Sequence, residues 1–224
     1  MLLPCLIELK DVSLAFKNNV ILKNVLLSLN ENEINIITGP SGSWKTTLLK
    51  AIWWIKSVKS GHYFFKWKNI KDDKNSVLKN RSKHFWYFFT DSSFFENLSA
   101  KENILSLWVF SDIVIDIEYM NYLAEYFEIE DLLELPINKL SSWQRERIWI
   151  IRTFVHKPKI ILFDEPWSHL DDRLFKKMMD FIVDYKSNNK AHLSIVSHNE
   201  KFYNISNHIY KIYDSEVHIL KDSI

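Results

Sequence analysis

The stretch IITGPSGSWKTTLLKAI, Ile36 to Ile52, limits what this chain can fold into more than any other. A short apolar strand, EINIIT, runs into a loop that opens on Gly39, and a helical pattern, KTTLLKAI, follows it. Strand, loop and helix in that order suit a phosphate-binding loop, because the loop's N–H groups and the helix N-terminus together make an anion site. The pattern G-x-x-x-x-G-K-[ST] is met at Gly39, Lys45 and Thr46, but its second glycine is replaced by Trp44. Pro40, Ser41, Gly42, Ser43 and Thr47 complete the candidate loop. In this arrangement Lys45 reaches the outer phosphates and Thr46 holds Mg²⁺.

The surrounding segments place the loop in an α/β frame. CLIELKDVSLAF and VILKNVLLSL read as an antiparallel pair joined at Lys17-Asn18-Asn19, and HYFFKWKNI as a further strand pair. A charged linker, KDDKNSVLKNRSK, leads to the aromatic strand HFWYFFT. From about Asn97 to Phe127 apolar residues recur at three- and four-residue spacing, the mark of an inserted helical lobe. SSWQRERIWIIRTFVH then opens a long helix that Pro158 ends, and KIILFDEP and AHLSIVSH read as buried strands. Strands alternating with helices predict a mostly parallel sheet. The expected division is a nucleotide-binding core over 1–90 and 155–224, with a helical lobe over 91–154, in one domain.

Charge and cysteine narrow the function. A net charge of +1 leaves no electrostatic footprint for nucleic acid. The single cysteine, Cys5, allows no internal disulfide and suits a reducing compartment. The start MLLPCLIELKDVSL lacks a basic leader and meets Glu8, Lys10 and Asp11 early, and no apolar run has the length of a membrane span. A cytoplasmic protein that reaches a membrane only through a partner is expected.

A second chemical element is IILFDEP, which delivers Asp164 and Glu165 to the end of a strand. An acid there completes a Mg²⁺ shell, and the next one polarises a water for attack on a γ-phosphate. The third element is KLSSWQRERI, Lys139 to Ile148, about twenty residues before the acidic pair. With these in place the chain resembles the ATP-binding subunits of the ABC transporter superfamily along nearly its whole length. That family's signature reads L-S-G-G-Q, and here reads Leu140, Ser141, Ser142, Trp143, Gln144. The resemblance implies that Phe16 stacks on adenine and that Asp171 is the acid of the D-loop, EPWSHLD. It further implies that His198, in IVSH, contacts the γ-phosphate, with Glu165 as the catalytic base and Asp164 and Thr46 as metal ligands. It implies a P-loop NTPase core with an N-terminal antiparallel β subdomain and the inserted helical lobe. ATP and Mg²⁺ are the implied cofactors, and a second ATP-binding subunit, identical or not, is the implied partner. Two subunits would close head to tail, each ATP held between one phosphate loop and the opposite Ser141 to Gln144. Membrane permease subunits would dock on the helical lobe near TDSSFFENLSA, where Phe94 and Phe95 either line the groove for a membrane subunit's helix or pack into the core. Where the family places a glutamine after the strand matching WYFF, this chain has Thr90, whose hydroxyl has a shorter reach.

The tryptophans form a pattern of their own. Glycine makes up about 7% of average sequences, so roughly 16 would be expected here; the chain has 3, and 9 tryptophans. Trp44 and Trp143 stand at motif glycines, and Trp53, Trp54, Trp67 and Trp86 fall where similar sequences carry glycine; Trp108, Trp149 and Trp167 are less diagnostic. An indole at position 44 would occupy the space of the nucleotide. The economical expectation is that UGA is read as glycine where this chain is made, which turns the two motifs into G-P-S-G-S-G-K-T-T and L-S-S-G-Q. The wealth of Lys, Asn, Ile and Phe fits an A/T-rich gene. If the tryptophans are genuine, the expectation becomes a nucleotide-blind scaffold of the same fold. A non-transport ATPase that remodels a soluble complex is the other alternative. IWWI, repaired to I-G-G-I, and NLSAKEN are similar to subunits serving lipoprotein-release and macrolide-export permeases.

Overall fold

A computed structural model of the chain describes residues 5–53, 58–69, 75, 85–88, 94–109, 115–167 and 170–221. Trp54, Thr90 and nearly all of the charged linker lie outside the described residues, as does the start of TDSSFFENLSA. The chain divides into two compact units, Met1–Phe88 with Lys159–Pro166 and Met179–Ile224, and Phe89–Pro158 with Trp167–Met178.

The first unit carries both sheets. β1 (Cys5–Phe16) and β2 (Asn19–Asn30) pair antiparallel across a tight turn whose central residues, Lys17 and Asn18, have φ of 45° and 71°. Two-residue hairpins favour left-handed centres because that twist matches the strands. β1 also pairs with β4 (Val58–Phe65), and β4 with the short β5 (Lys68–Asn69), giving the sheet order β2-β1-β4-β5. Asn19, placed in the turn by the sequence pattern, is the first residue of β2.

The second sheet is built from β3 (Ile34–Thr38), β6 (Phe85–Phe88), β7 (Ile160–Asp164), β8 (His192–Val196), β9 (His208–Tyr213) and β10 (Glu216–Lys221). Its order is β10-β9-β3-β8-β7-β6, with every pair parallel except β9 and β10. β3, β7 and β8 are buried at every position, as expected of parallel strands covered on both faces. Their apolar runs drive this burial, at about 25 cal/mol per Å² of apolar surface removed from water. The fully buried His192 ties β2 to β8: its Nδ1 lies 2.8 Å from the Asn30 carbonyl and must donate, so Nε2 accepts from the Ser194 hydroxyl, also at 2.8 Å. Burial pushes its imidazole down to about 4, so it is neutral at pH 7. The C-terminal hairpin β9–β10 was not anticipated, although HIYKIYDSEVHILK alternates in period two around a turn at Asp214 and Ser215.

In the second unit, α2 (Ala100–Val109), α3 (Ile117–Tyr126) and α4 (Ser142–Phe154) form the helical lobe. Asp116 caps α3, accepting from the Tyr119 N–H at 3.0 Å. α4 ends at Phe154 rather than at Pro158, because Lys157 turns left-handed, with φ of 51°, and its N–H returns to the Phe154 carbonyl. Buried Asn103 fixes the preceding loop: its carboxamide accepts from the Phe95 N–H at 2.9 Å and donates to the carbonyls of Phe95 and Ser99 at 3.1 and 2.9 Å. Arg173 and Lys177 hold the Glu128 carboxyl down to about 2.

Candidate functional site

In a parallel sheet the carboxyl ends of neighbouring strands share one edge, and loops leaving them meet there. β3, β8 and β7 are such neighbours. The loop after β3 starts at Gly39, the one after β7 holds Glu165, and the one after β8 holds His198. These three loops, each read from the sequence as carrying chemistry, therefore converge within the first unit. They line a pocket of about 530 Å³ that includes Ser41, Trp44, Lys45, Thr46, Glu165 and His198.

The phosphate loop is set by its backbone. Gly39 and Gly42 have φ of 144° and 77°, and a Cβ at Gly39 would run into the Ile212 carbonyl. Only glycine tolerates that approach. The Ser43 N–H returns to the Pro40 carbonyl at 3.2 Å, and α1 (Lys45–Trp53) starts directly after. α1 buries Leu48, Leu49, Ala51 and Ile52, which anchors the helix and leaves its N-terminal N–H groups at the pocket.

Lys45 is 7% exposed, and its Nζ donates to the Gly39 and Pro40 carbonyls at 2.9 and 3.1 Å. Burial lowers its pKa, while the Glu165 and Asp164 carboxylates raise it. The ammonium thus folds back onto its own loop, within reach of any anion the loop takes in. Thr46 Oγ1 donates to Asp164 Oδ1 at 3.0 Å. The other carboxylate oxygen accepts from the Tyr87 hydroxyl at 3.3 Å. Burial, then the Asp164 carboxylate, push the Tyr87 phenol well above its usual range. Tyr87 was not singled out from the sequence; its place in β6, parallel to β7 in the register Tyr87 to Leu162, is what brings it to Asp164.

Glu165 and His198 stand at the pocket mouth with Nε2 3.4 Å from Oε1, both about half exposed. Glu165 has φ of 48°, a conformation that disfavours any Cβ, and its N–H is pinned to the Val196 carbonyl at 2.9 Å. Strain of this kind concentrates at functional positions. Phe16, half exposed at the end of β1, lies with its ring centroid 5.7 Å from that of Trp44. Trp44 has φ of 72° and is 39% exposed.

Ser141, Ser142, Trp143 and Gln144 belong to the second unit. There Ser141 is the N-cap of α4 and closes a reciprocal capping box with Gln144: the Gln144 N–H donates to Ser141 Oγ at 3.3 Å and the Ser141 N–H donates to Gln144 Oε1 at 2.9 Å. The pattern S-x-x-Q was legible as a helix start. Trp143 is 43% exposed in the first turn. Arg145 donates to the Leu140 carbonyl at 3.2 Å and pairs with Glu96 at 3.0 Å. Asp171 caps the helix α5 (Asp172–Asn189), accepting from the Leu174 N–H at 2.8 Å. Phe94 packs on Trp149, with ring centroids 5.8 Å apart, whereas Phe95 is 45% exposed.

Comparison with known proteins shows the family and the fold. Residues 22–168 match the family described as ABC transporter. The ABC transporter ATP-binding protein YxdL of Bacillus subtilis is 31% identical over 201 residues, covering 87% of this chain and 78% of the relative. The lipoprotein-releasing system ATP-binding protein LolD of Leptospira interrogans is 29% identical, over 88% of this chain and 84% of its own. The spermidine/putrescine import ATP-binding protein PotA of Mycoplasma mycoides is also 29% identical, but this chain spans 55% of its length. Among solved structures, the dimeric ATP-binding cassette MJ0796 in a post-hydrolysis state with ADP and Pi superposes with a TM-score of 0.80 at 27% identity, over 96% of this chain and 98% of that one. A family match across more than half of the chain, with a relative 31% identical over 87% of it, shows that the chain belongs to the ABC transporter family as one of its ATP-binding, ATP-hydrolysing cassettes.

Proposed function

We propose that this cassette powers separate membrane permease subunits, that it works as a pair of cassettes closing on ATP, and that it does so from the cytoplasmic face of the membrane. The observation that carries the reading is the placement of Asp164 beside Thr46, and of Glu165 beside His198, at one mouth of the phosphate loop. No helix among the described residues is long and apolar enough to cross a membrane.

The residues fit a Mg²⁺ ion. Asp164 is 7% exposed and its carboxylate is held by two uncharged hydroxyls, Thr46 and Tyr87, which leaves a buried negative charge beside a hydroxyl ligand. No cluster of three ligating side chains occurs among the described residues, which suits an ion bound by one or two protein groups plus substrate phosphates. When bound, Mg²⁺ neutralises charge on the β- and γ-phosphates. The loop N–H groups and Lys45 bind those phosphates. Glu165 Oε1 accepts a proton from the attacking water, and His198 orients the carboxylate and donates toward the γ-phosphate. The exposed end of Phe16 offers a face for adenine. In the pair, the first turn of α4 presents its N–H groups to the nucleotide of the opposite cassette.

The permease side rests on the loop that Asn103 holds. Phe95 offers an exposed ring on a loop braced from within, a suitable anchor for a helix of a membrane subunit, whereas Phe94 serves the packing of α4. LolD and PotA name both release and import systems, and the chain is read as the motor common to both.

ATP binding and turnover test the reading, on the chain as written and on a form with glycine at all nine tryptophan positions. In the active form, Lys45→Ala loses ATP binding, while Glu165→Gln keeps binding and slows hydrolysis by about 100-fold or more. Parental turnover in Glu165→Gln would sink its role as base. The indole of Trp44 at the pocket favours the scaffold as a second reading for the chain as written; it prevails if both forms fold and neither binds ATP.

A further inference from the structure

The backbone separates three tryptophans of this chain from its phenylalanines and tyrosines. Trp44, Trp67 and Trp167 have φ of 72°, 66° and 61°. The chain also carries 15 phenylalanines and 9 tyrosines, and among the described residues none of these has a positive φ. All three glycines do, at 144°, 77° and 91°. The remaining left-handed residues are Asn, Asp, Ser, Lys or Glu. A left-handed backbone presses Cβ against the following carbonyl, so glycine adopts it freely and a bulky aromatic is among the least suited residues. By backbone conformation these three tryptophans group with glycine.

Each site has its own local demand. Trp67 is the second central residue of the two-residue hairpin between β4 and β5, where Phe65 pairs with Lys68 and Lys66 has φ of 46°. Such a turn needs positive φ at both centres and favours glycine second. Asn18 and Ser215 hold the equivalent place in the two other hairpins. Trp67 is 68% exposed, so little packing of its indole offsets the strain. Trp44 sits between left-handed Gly42 and the start of α1, on the pocket wall. Trp167 follows Pro166 and is buried at 3% exposure.

We infer that positions 44, 67 and 167 are glycine in the protein as its cell makes it. This brings in Trp167, which the sequence left undiagnostic. The inference stands apart from the proposed function, since the hairpin at 67 takes no part in the nucleotide pocket. Its consequence for the site is direct: with glycine at 44, the indole leaves the pocket wall and the loop's N–H groups can approach a phosphate.

Tandem mass spectrometry of the chain purified from the cells that carry its gene is the test. Glycine at 44, 67 and 167 is expected, and tryptophan at any of the three overturns the inference. A second measurement uses the recombinant chain as written. Trp67→Gly is expected to raise the melting temperature by about 2–4 °C, and Trp67→Ala, which keeps a Cβ, by less. A melting temperature unchanged or lowered by Trp67→Gly removes the conformational ground for the inference.

Discussion

The phosphate loop and the first turn of α4 each carry a tryptophan at a motif glycine, yet the two backbones treat it differently. Trp44 is left-handed, lines the pocket and leans toward Phe16. Trp143 is right-handed within a regular helical turn, with its ring half exposed, while Ser141 and Gln144 satisfy the helix end around it. At 44 the chain path itself asks for glycine. At 143 the path accepts any residue, and a glycine matters only for what the surface of that turn can meet. Two motif glycines that look equivalent as letters thus answer to different physics, one to a dihedral angle and the other to the room left for a partner.

Trp44→Gly, made alone in the chain as written, has the largest expected effect. It relieves a left-handed strain of about 1–2 kcal/mol and clears the pocket wall. The strain relief should appear as stability; because the indole no longer fills the pocket wall, ATP affinity should rise at least about tenfold, or about 1.4 kcal/mol, read by calorimetric titration. Unchanged affinity would mean that the indole at 44 is compatible with nucleotide, and the contrast between the two sites would collapse. Ser141→Ala comes next. It opens the capping box and should cost about 1 kcal/mol in urea unfolding, with Ser141→Asp restoring most of the loss. A cost near zero would show that the turn does not depend on its cap.

Much of this was legible in the sequence because it is local. The strand into Gly39, the helix from Lys45 and the strand delivering Asp164 are each written in fewer than ten consecutive residues, so period and turn chemistry suffice to find them. The capping box at Ser141 and Gln144 is equally local, and the nucleotide role that the resemblance gave those residues sits on top of a helix-start role that the spacing alone explains. What stayed hidden depends on neighbours far apart in the chain. Tyr87 reaches Asp164 only through the pairing of β6 with β7, a parallel register that no local pattern specifies. The division of labour between Phe94 and Phe95 depends on where Trp149 lies. The left-handed state of Trp167 is set by the turn after Pro166 and leaves no compositional trace, whereas that of Trp67 could have been read from a two-residue gap between strands.

Trp143→Gly should have the smallest effect on the isolated chain, and it sharpens the comparison most. Exchanging tryptophan for glycine within the first turn of a helix costs only about 0.5 kcal/mol by propensity, and the exposed indole gives up little packing. Because the proposed partner of this turn is the nucleotide of a second cassette, ATP affinity measured on monomer should not change. In a background with glycine already at 44, the change should appear only where two cassettes meet, as faster turnover at high protein concentration and as ATP-dependent dimer in size-exclusion chromatography. If Trp143→Gly instead raises ATP affinity at concentrations where no dimer forms, the turn acts on its own nucleotide. The two glycine positions would then serve one site, and the contrast between path and surface would have to be given up.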